Sequence, residues 1–97
     1  MIEFIQQGEA CAIQGSLSQQ QVIELWSKRR KLFSPSTQVL DLSGITYVDS
    51  AGVALLLELA HLSHKGSPKR QSPRMFIKPS KPLSKMIELY DLEVFVQ

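Results

Sequence analysis

The chain has 97 residues, of which 43% are hydrophobic and 21% charged, and it carries a formal net charge of +2 at pH 7. This composition is too apolar for a disordered chain, and the length favours one domain over residues 1–97. The charge is too small and too dispersed to single out nucleic acid as a partner.

Two short β-like runs open the chain. They are IEFI, from Ile2, and ACAIQG, from Ala10, with the turn residue Gly8 between them. Apolar runs joined by a glycine-containing turn predict a hairpin. Gly15 is expected to end the second strand.

The segment SLSQQQVIELWSKRRKLF predicts the first helix. Ser18 and Gln21 form a capping-box pattern just before an apolar-periodic run that reaches Phe33. Four basic residues, 28–31, fall near the predicted C-terminal end, where positive charge interacts favourably with the helix dipole. A solvated basic face is the preferred interpretation, and a docking site for an acidic partner is the alternative.

The run QVLDLS predicts a buried strand, followed by a helix from Ser50 to about His64. Between them lies Asp49-Ser50-Ala51-Gly52. Ser50 is expected to be the N-cap, and Asp49 places negative charge at the positive end of the helix. Ala51 and Gly52 are small enough for another group to approach the backbone.

The helix after Ser50 is apolar over roughly 200° of its circumference, whereas packing on one side needs about 100°. One stripe contains Val53, Leu56 and Leu57, and a second contains Leu55 and Leu59. Burying both stripes in a small domain is difficult. The second stripe is therefore expected on the surface, as a protein interface.

The C-terminal part begins with a basic loop, Lys65 to Arg74, for which solvent exposure is favoured over contact with anionic lipid headgroups. A strand, MFI, then precedes a third helix that starts after the cap residue Ser80. The run VFV is expected to form a last short strand. The predicted order is ββαβαβα, an α/β fold with a mixed sheet covered by helices.

No motif predicts an enzyme. Glu58, His61 and His64 resemble metal ligands in spacing, but successive members diverge by about 60° around a helix. The chain has no phosphate-binding glycine loop and no nucleophile-elbow motif. We therefore expect no catalytic residue, metal or cofactor.

Nothing in the sequence predicts export or a membrane span. The start lacks a basic segment followed by a long apolar run, and the stretch from Val53 to Leu62 is too short to cross a bilayer. With Cys11 as its single cysteine, the chain has no internal disulfide. A cytoplasmic location is expected.

The stretch VLDLSGITYVDSAGVALLLEL resembles the signature of STAS domains, in which an apolar strand leads to Asp-Ser/Thr-x-Gly and a leucine-rich helix. Within this family the chain is most similar to the stand-alone STAS subunits (MlaB type) of the Mla phospholipid transporter of Gram-negative bacteria. The segments GEACAIQGSLSQQQVIELW, VDSAGVALLLELAHL and LSKMIELYDLEVF carry this closer likeness. The resemblance covers essentially the whole chain and implies the STAS fold.

The resemblance also implies a function. Such a protein is not an enzyme but binds and supports the ATPase subunit of an ABC transporter, within a complex that includes permease and substrate-binding subunits and maintains outer-membrane lipid asymmetry. It would lie at the inner face of the inner membrane through these partners. The implied contact surface is the Ser50 loop and the following helix, with the expected residues Asp49, Ser50, Ala51, Gly52, Leu55 and Leu59.

An alternative function is an anti-sigma factor antagonist that is phosphorylated on Ser50. Relatives of that class usually carry a second hydroxyl residue before the glycine, where this chain has Ala51. This departure counts against a phosphorylation switch, although Ser50 remains a candidate acceptor.

Overall fold

The computed structural model of the chain describes residues 2–63, 70 and 72–97. The strands are β1 (Ile2–Gln7), β2 (Ala10–Leu17), β3 (Val39–Val48) and β4 (Met75–Ile77). The α-helices are α1 (Gln19–Trp26), α2 (Ser50–His61) and α3 (Lys81–Leu89), and two 3-10 turns cover Arg29–Lys31 and Glu93–Phe95.

The strands form one sheet in the order β1-β2-β3-β4. β1 and β2 pair antiparallel, whereas β3 lies parallel to both β2 and β4. The predicted mixed sheet and the order ββαβαβα are therefore confirmed. The hairpin is confirmed as well, with Gly8 in the left-handed region at φ 63°.

β2 does not end at Gly15, as the sequence had suggested. Gly15 adopts φ 113°, and the pairing of β2 with β3 shifts register between Gly15 and Ser16. The strand then continues to Leu17, which is fully buried. Glycine here allows an irregularity within the strand, because it tolerates a positive φ that other residues avoid.

The first helix is shorter than its sequence pattern indicates. Its predicted capping box is present, since the side-chain oxygen of Gln21 accepts a 2.9 Å hydrogen bond from the backbone N–H of Ser18. The helix nevertheless ends at Trp26, and a 3-10 turn follows. Arg29 Nη1 donates to the Trp26 carbonyl at 2.7 Å, which satisfies a group left open at the helix end.

Helix α2 lies in the middle of the core. It contacts both α1 and β3. The buried cluster combines residues from the sheet and all three α-helices, including Leu25 of α1, Leu42 of β3 and Leu83 of α3. Packing from two directions explains how a small chain buries so wide an apolar arc.

The last residue of the predicted basic loop, Arg74, is buried, with 1% of its surface exposed. Its Nε donates to Thr37 O at 2.8 Å, and its Nη1 donates to Leu59 O at 3.0 Å and Leu62 O at 2.7 Å. Arg74 thus binds carbonyls at the C-terminal end of α2, where positive charge is favourable. Burial, followed by the charge of Arg70, lowers the pKa of Arg74 to about 10, so the side chain is charged at neutral pH.

Residues 65–69 and 71 of that loop lie outside the described residues, as does His64. Helix α2 ends at His61. Within the part of the chain that the structure describes, no helix has both the length and the apolar content that a bilayer span requires.

The C-terminal segment forms α3 as predicted, with the Ser80 hydroxyl accepting from Leu83 N at 3.4 Å. The final VFV run is not a strand. It lies largely within the second 3-10 turn, and Val96 makes an isolated bridge with Phe76 of β4. The Phe95 ring stacks on Phe76, with centroids 5.8 Å apart, and meets His61 edge-on at 5.6 Å. The chain end therefore covers part of α2.

Candidate functional site

The turn between β3 and α2 is organised by Asp49. One carboxylate oxygen accepts from Gly52 N at 2.9 Å, and the other accepts from Gln19 N at 2.9 Å. Gln19 is the first residue of α1 and Gly52 lies in the first turn of α2. A single carboxylate therefore satisfies backbone donors at the N-terminal ends of two helices, where negative charge is favourable.

The N-cap of α2 is Asp49, so the prediction that Ser50 caps the helix is wrong. Asp49 has extended backbone angles of φ −115° and ψ −175°, which suit a cap, whereas Ser50 is already helical. Ser50 is exposed, and its hydroxyl makes no hydrogen bond to any residue that the structure describes. Its side chain is consequently accessible to another molecule.

Gly52 meets a close approach from within the protein. A Cβ at this position would lie 2.2 Å from Leu17 O and 2.8 Å from Val48 Cγ2. Gly52 is buried and Ala51 is half-buried. The glycine thus allows α2 to pack against the end of β2, and it supports the turn from beneath.

Leu55 and Leu59 are core residues, each 0% exposed, so the expectation that they lie on the surface is wrong. Both belong to the same buried cluster as Leu25 of α1 and Phe76 of β4. The second apolar stripe of α2 is covered by the protein itself. Its width reflects burial between two layers and provides no contact surface for a partner.

The accessible face of α2 borders a shallow groove of about 330 Å³. Ser50 and the exposed Ala54 lie one turn apart on this face, and Tyr90 and Leu92 form the opposite wall after α3. Tyr90 is 46% exposed. The lining residues are mostly apolar: Ser50, Val53, Ala54, Leu57, Tyr90 and Leu92. We call this the α2 groove.

Sequence reasoning missed most of this groove. The expected contact residues included Ser50 but not Ala54, Leu57, Tyr90 or Leu92. The useful signal was the four-residue spacing of Ser50 and Ala54, which places them on one helix face. The sequence could not predict that Tyr90 and Leu92 line the groove, because this depends on how the C-terminal segment returns to α2.

A polar and aromatic cluster lies further along α2. Arg29 Nε forms a 2.9 Å ion pair with Glu58, and the Arg29 guanidinium lies 4.5 Å from the centre of the Trp26 ring. Trp26 is 42% exposed. Arg29 is thus held by several contacts and is not part of a freely solvated basic face.

The described residues contain no group of three or more His, Cys, Asp or Glu residues able to hold a metal ion. Burial raises the pKa of the Cys11 thiol, which keeps it protonated and poorly nucleophilic.

A comparison with known protein families identifies the family to which the chain belongs. Residues 4–97 match the family described as "Mlab, STAS domain". The chain belongs to this MlaB-type STAS family. The expected family membership is confirmed. We call the Asp49–Gly52 turn the STAS turn.

Two curated relatives are similar to this STAS domain. Each is named "Intermembrane phospholipid transport system binding protein MlaB", one from Escherichia coli (strain K12) and one from Shigella flexneri. Both are 36% identical to the chain over 64 residues, or 66% of this chain and 65% of the relative. The match thus spans slightly less than two thirds of these relatives.

Among solved structures, the anti-sigma factor antagonist SpoIIAA in its unphosphorylated form has a similar fold. The TM-score is 0.63 at 16% sequence identity, with 100% of this chain and 86% of the other covered. At this identity the likeness concerns the fold alone. The predicted STAS fold is confirmed by it.

Proposed function

We propose that this STAS domain is a non-enzymatic subunit of a phospholipid-transporting ABC system and that it binds and supports the ATPase subunit. The complex would include permease and substrate-binding subunits and would maintain outer-membrane lipid asymmetry. The chain would act as one STAS domain over residues 1–97, without a cofactor. It would be cytoplasmic and held at the inner face of the inner membrane by its partners.

The observation that carries this proposal is the exposed Ser50 hydroxyl beside the apolar α2 groove. Asp49 fixes the turn through its bonds to Gln19 and Gly52, so the hydroxyl is presented on a rigid support. A preorganised polar group next to apolar surface suits a protein interface, because little ordering is required on binding. The names of the E. coli and S. flexneri relatives support the transport role.

The proposed contact residues differ from those expected from sequence. Ser50 and Ala51 are retained as contacts, and Ala54, Leu57 and Tyr90 join them from the groove. Asp49 and Gly52 act as supports of the turn. Leu55 and Leu59 stabilise the helix from inside and are not proposed as contacts.

The test is direct binding to the purified ATPase subunit of the Mla-type transporter from the same organism, measured by biolayer interferometry. Ala54→Glu places a charge in the groove at an exposed helical position, so folding should persist while affinity falls at least about tenfold. Gln7→Glu introduces the same charge at an exposed position at the end of β1, at the opposite end of the sheet from the Asp49 turn, and should bind normally. No binding by the wild type, or equal binding by Ala54→Glu, would contradict the proposal.

The anti-sigma antagonist alternative has less support. Ser50 is exposed and could accept a phosphoryl group, but Ala51 replaces the second hydroxyl found in that class. The likeness to SpoIIAA at 16% identity concerns only the fold. Incubation with an anti-sigma kinase and ATP, followed by intact-mass measurement, should leave the mass unchanged.

A further inference from the structure

A second groove lies on the other flank of the STAS turn, between the end of β3 and the first half of α3. It has a volume of about 410 Å³. Tyr47, which is 55% exposed, and the half-buried Met86 contribute apolar surface. The lining residues are Tyr47, Val48, Lys81, Pro82, Lys85 and Met86. We call this the lysine groove.

Positive charge in the lysine groove is not neutralised by the described part of the chain. Lys81 and Lys85 are exposed, and neither forms an ion pair there. Glu88, one turn after Lys85 on α3, pairs with neither lysine in the same part of the chain. The first turn of α3 contains no acidic residue, although the N-terminal end of a helix favours negative charge.

We propose that the lysine groove binds an acidic segment of the ATPase partner, with one apolar side chain of that segment against Tyr47 and Met86. This inference rests on the proposed function and extends its interface. The lysines and the positive end of α3 complement carboxylates, while the apolar floor provides the area that charge pairs alone lack.

The two grooves are suited to a single continuous partner surface. Tyr47 and Val48 directly precede the Asp49 turn, and Met86 lies one helical turn before Tyr90 of the α2 groove. Residues of the two grooves therefore flank Ser50 along the chain and follow one another along α3. A partner that contacts Ser50 would lie next to both grooves.

An anionic membrane surface fits the lysine groove less well than a protein segment does. Recognition of anionic lipid usually involves clusters of about four to eight basic residues. Two lysines line this groove. A recessed floor with an exposed tyrosine also suits an inserted side chain better than a flat layer of headgroups.

The experiment measures the affinity of the purified ATPase subunit for the double variant Lys81→Glu/Lys85→Glu at low and moderate salt. Placing like charges opposite the acidic segment should weaken binding more than about tenfold and remove much of its salt dependence. The matched control, Lys28→Glu/Lys31→Glu, reverses the same number of exposed charges at the two ends of the 3-10 turn that follows α1. It should change the affinity less than about twofold, within the range of peripheral charge effects.

The outcomes separate the two proposals. If wild type does not bind the ATPase, the proposed function fails and this inference fails with it. If wild type binds and the double variant binds equally well, or the control loses as much affinity, the lysine groove is not the site and the proposed function stands.

Two further measurements complete the test. Tyr47→Ser should also weaken ATPase binding, and circular dichroism should show that each variant is folded. Flotation with phosphatidylglycerol vesicles should recover no wild-type protein. Recovery that depends on Lys81 and Lys85 would overturn the assignment in favour of a lipid surface.

Discussion

The side chain of Asp49 accepts a hydrogen bond from the backbone N–H of Gln19, 30 positions earlier in the chain, at 2.9 Å. The same carboxylate caps α2 through Gly52. One side chain therefore supports the N-terminal ends of both α1 and α2. The acidic residue of the STAS turn has a structural role, which leaves the neighbouring serine accessible for binding.

Replacing Asp49 should reveal this division of roles. Asp49→Ala removes the cap and the bond to Gln19, and we expect a loss of about 2 kcal/mol in the free energy of unfolding. Ser50→Ala should cost less than about 0.5 kcal/mol, since the hydroxyl is exposed and does not cap. Urea unfolding measures both, and equal losses would show that the serine also supports the fold.

Glycine should give the more stable protein at position 52 of α2, and alanine at position 54. Gly52→Ala should destabilise by at least about 2 kcal/mol despite the better helix propensity of alanine, because its Cβ would overlap Leu17 O. At the exposed Ala54, the change to glycine should cost about 1 kcal/mol. Thermal unfolding, monitored by circular dichroism, compares the stability of the two variants. A stabilising effect of Gly52→Ala would contradict the close approach of Leu17 O to Gly52.

The effects of replacing leucines of α2 on stability and on binding should depend on how deeply each leucine is buried. Leu55→Ala should cost about 3 kcal/mol, as expected for a fully buried leucine, and should affect binding only through instability. Leu57 lines the α2 groove and is half-buried, so Leu57→Ala should cost about 1 kcal/mol. Binding to the ATPase subunit below the unfolding temperature should fall for Leu57→Ala. If Leu55→Ala weakened binding under these conditions and Leu57→Ala did not, Leu55 would belong to the interface.

Arg74 should be among the most sensitive charged residues of the described chain. Arg74→Ala would leave the carbonyls of Thr37, Leu59 and Leu62 without this donor in a buried setting, at a cost of about 3 kcal/mol or more. Arg70→Ala removes bonds to Thr37 O and Gln38 at a more accessible position and should cost about 1 kcal/mol. Denaturant titration measures the free energy of unfolding of both variants. Similar losses for Arg74→Ala and Arg70→Ala would mean that the burial of Arg74 contributes little to stability.

Sequence patterns were sufficient for the features that depend on neighbouring residues. The turn at Gly8, the Ser18–Gln21 capping box and the Ser80 cap all act within a few positions, and each is present. The alternation of strands and helices also predicted the mixed sheet. Local propensity and hydrophobic periodicity determine such features, because the interacting groups are close along the chain.

Tertiary structure decided which apolar surface remains accessible. Periodicity shows that α2 has a wide apolar arc but does not show what covers it. Here α2 contacts both α1 and β3, and Leu55 and Leu59 are fully buried in the core cluster. Tyr90 and Leu92 reach the α2 groove only through the path of the chain after α3. Likewise, Asp49 and Arg74 acquire their roles from backbone groups distant in sequence. Burial and hydrogen bonding between distant segments depend on how the layers pack, which one-dimensional patterns do not contain.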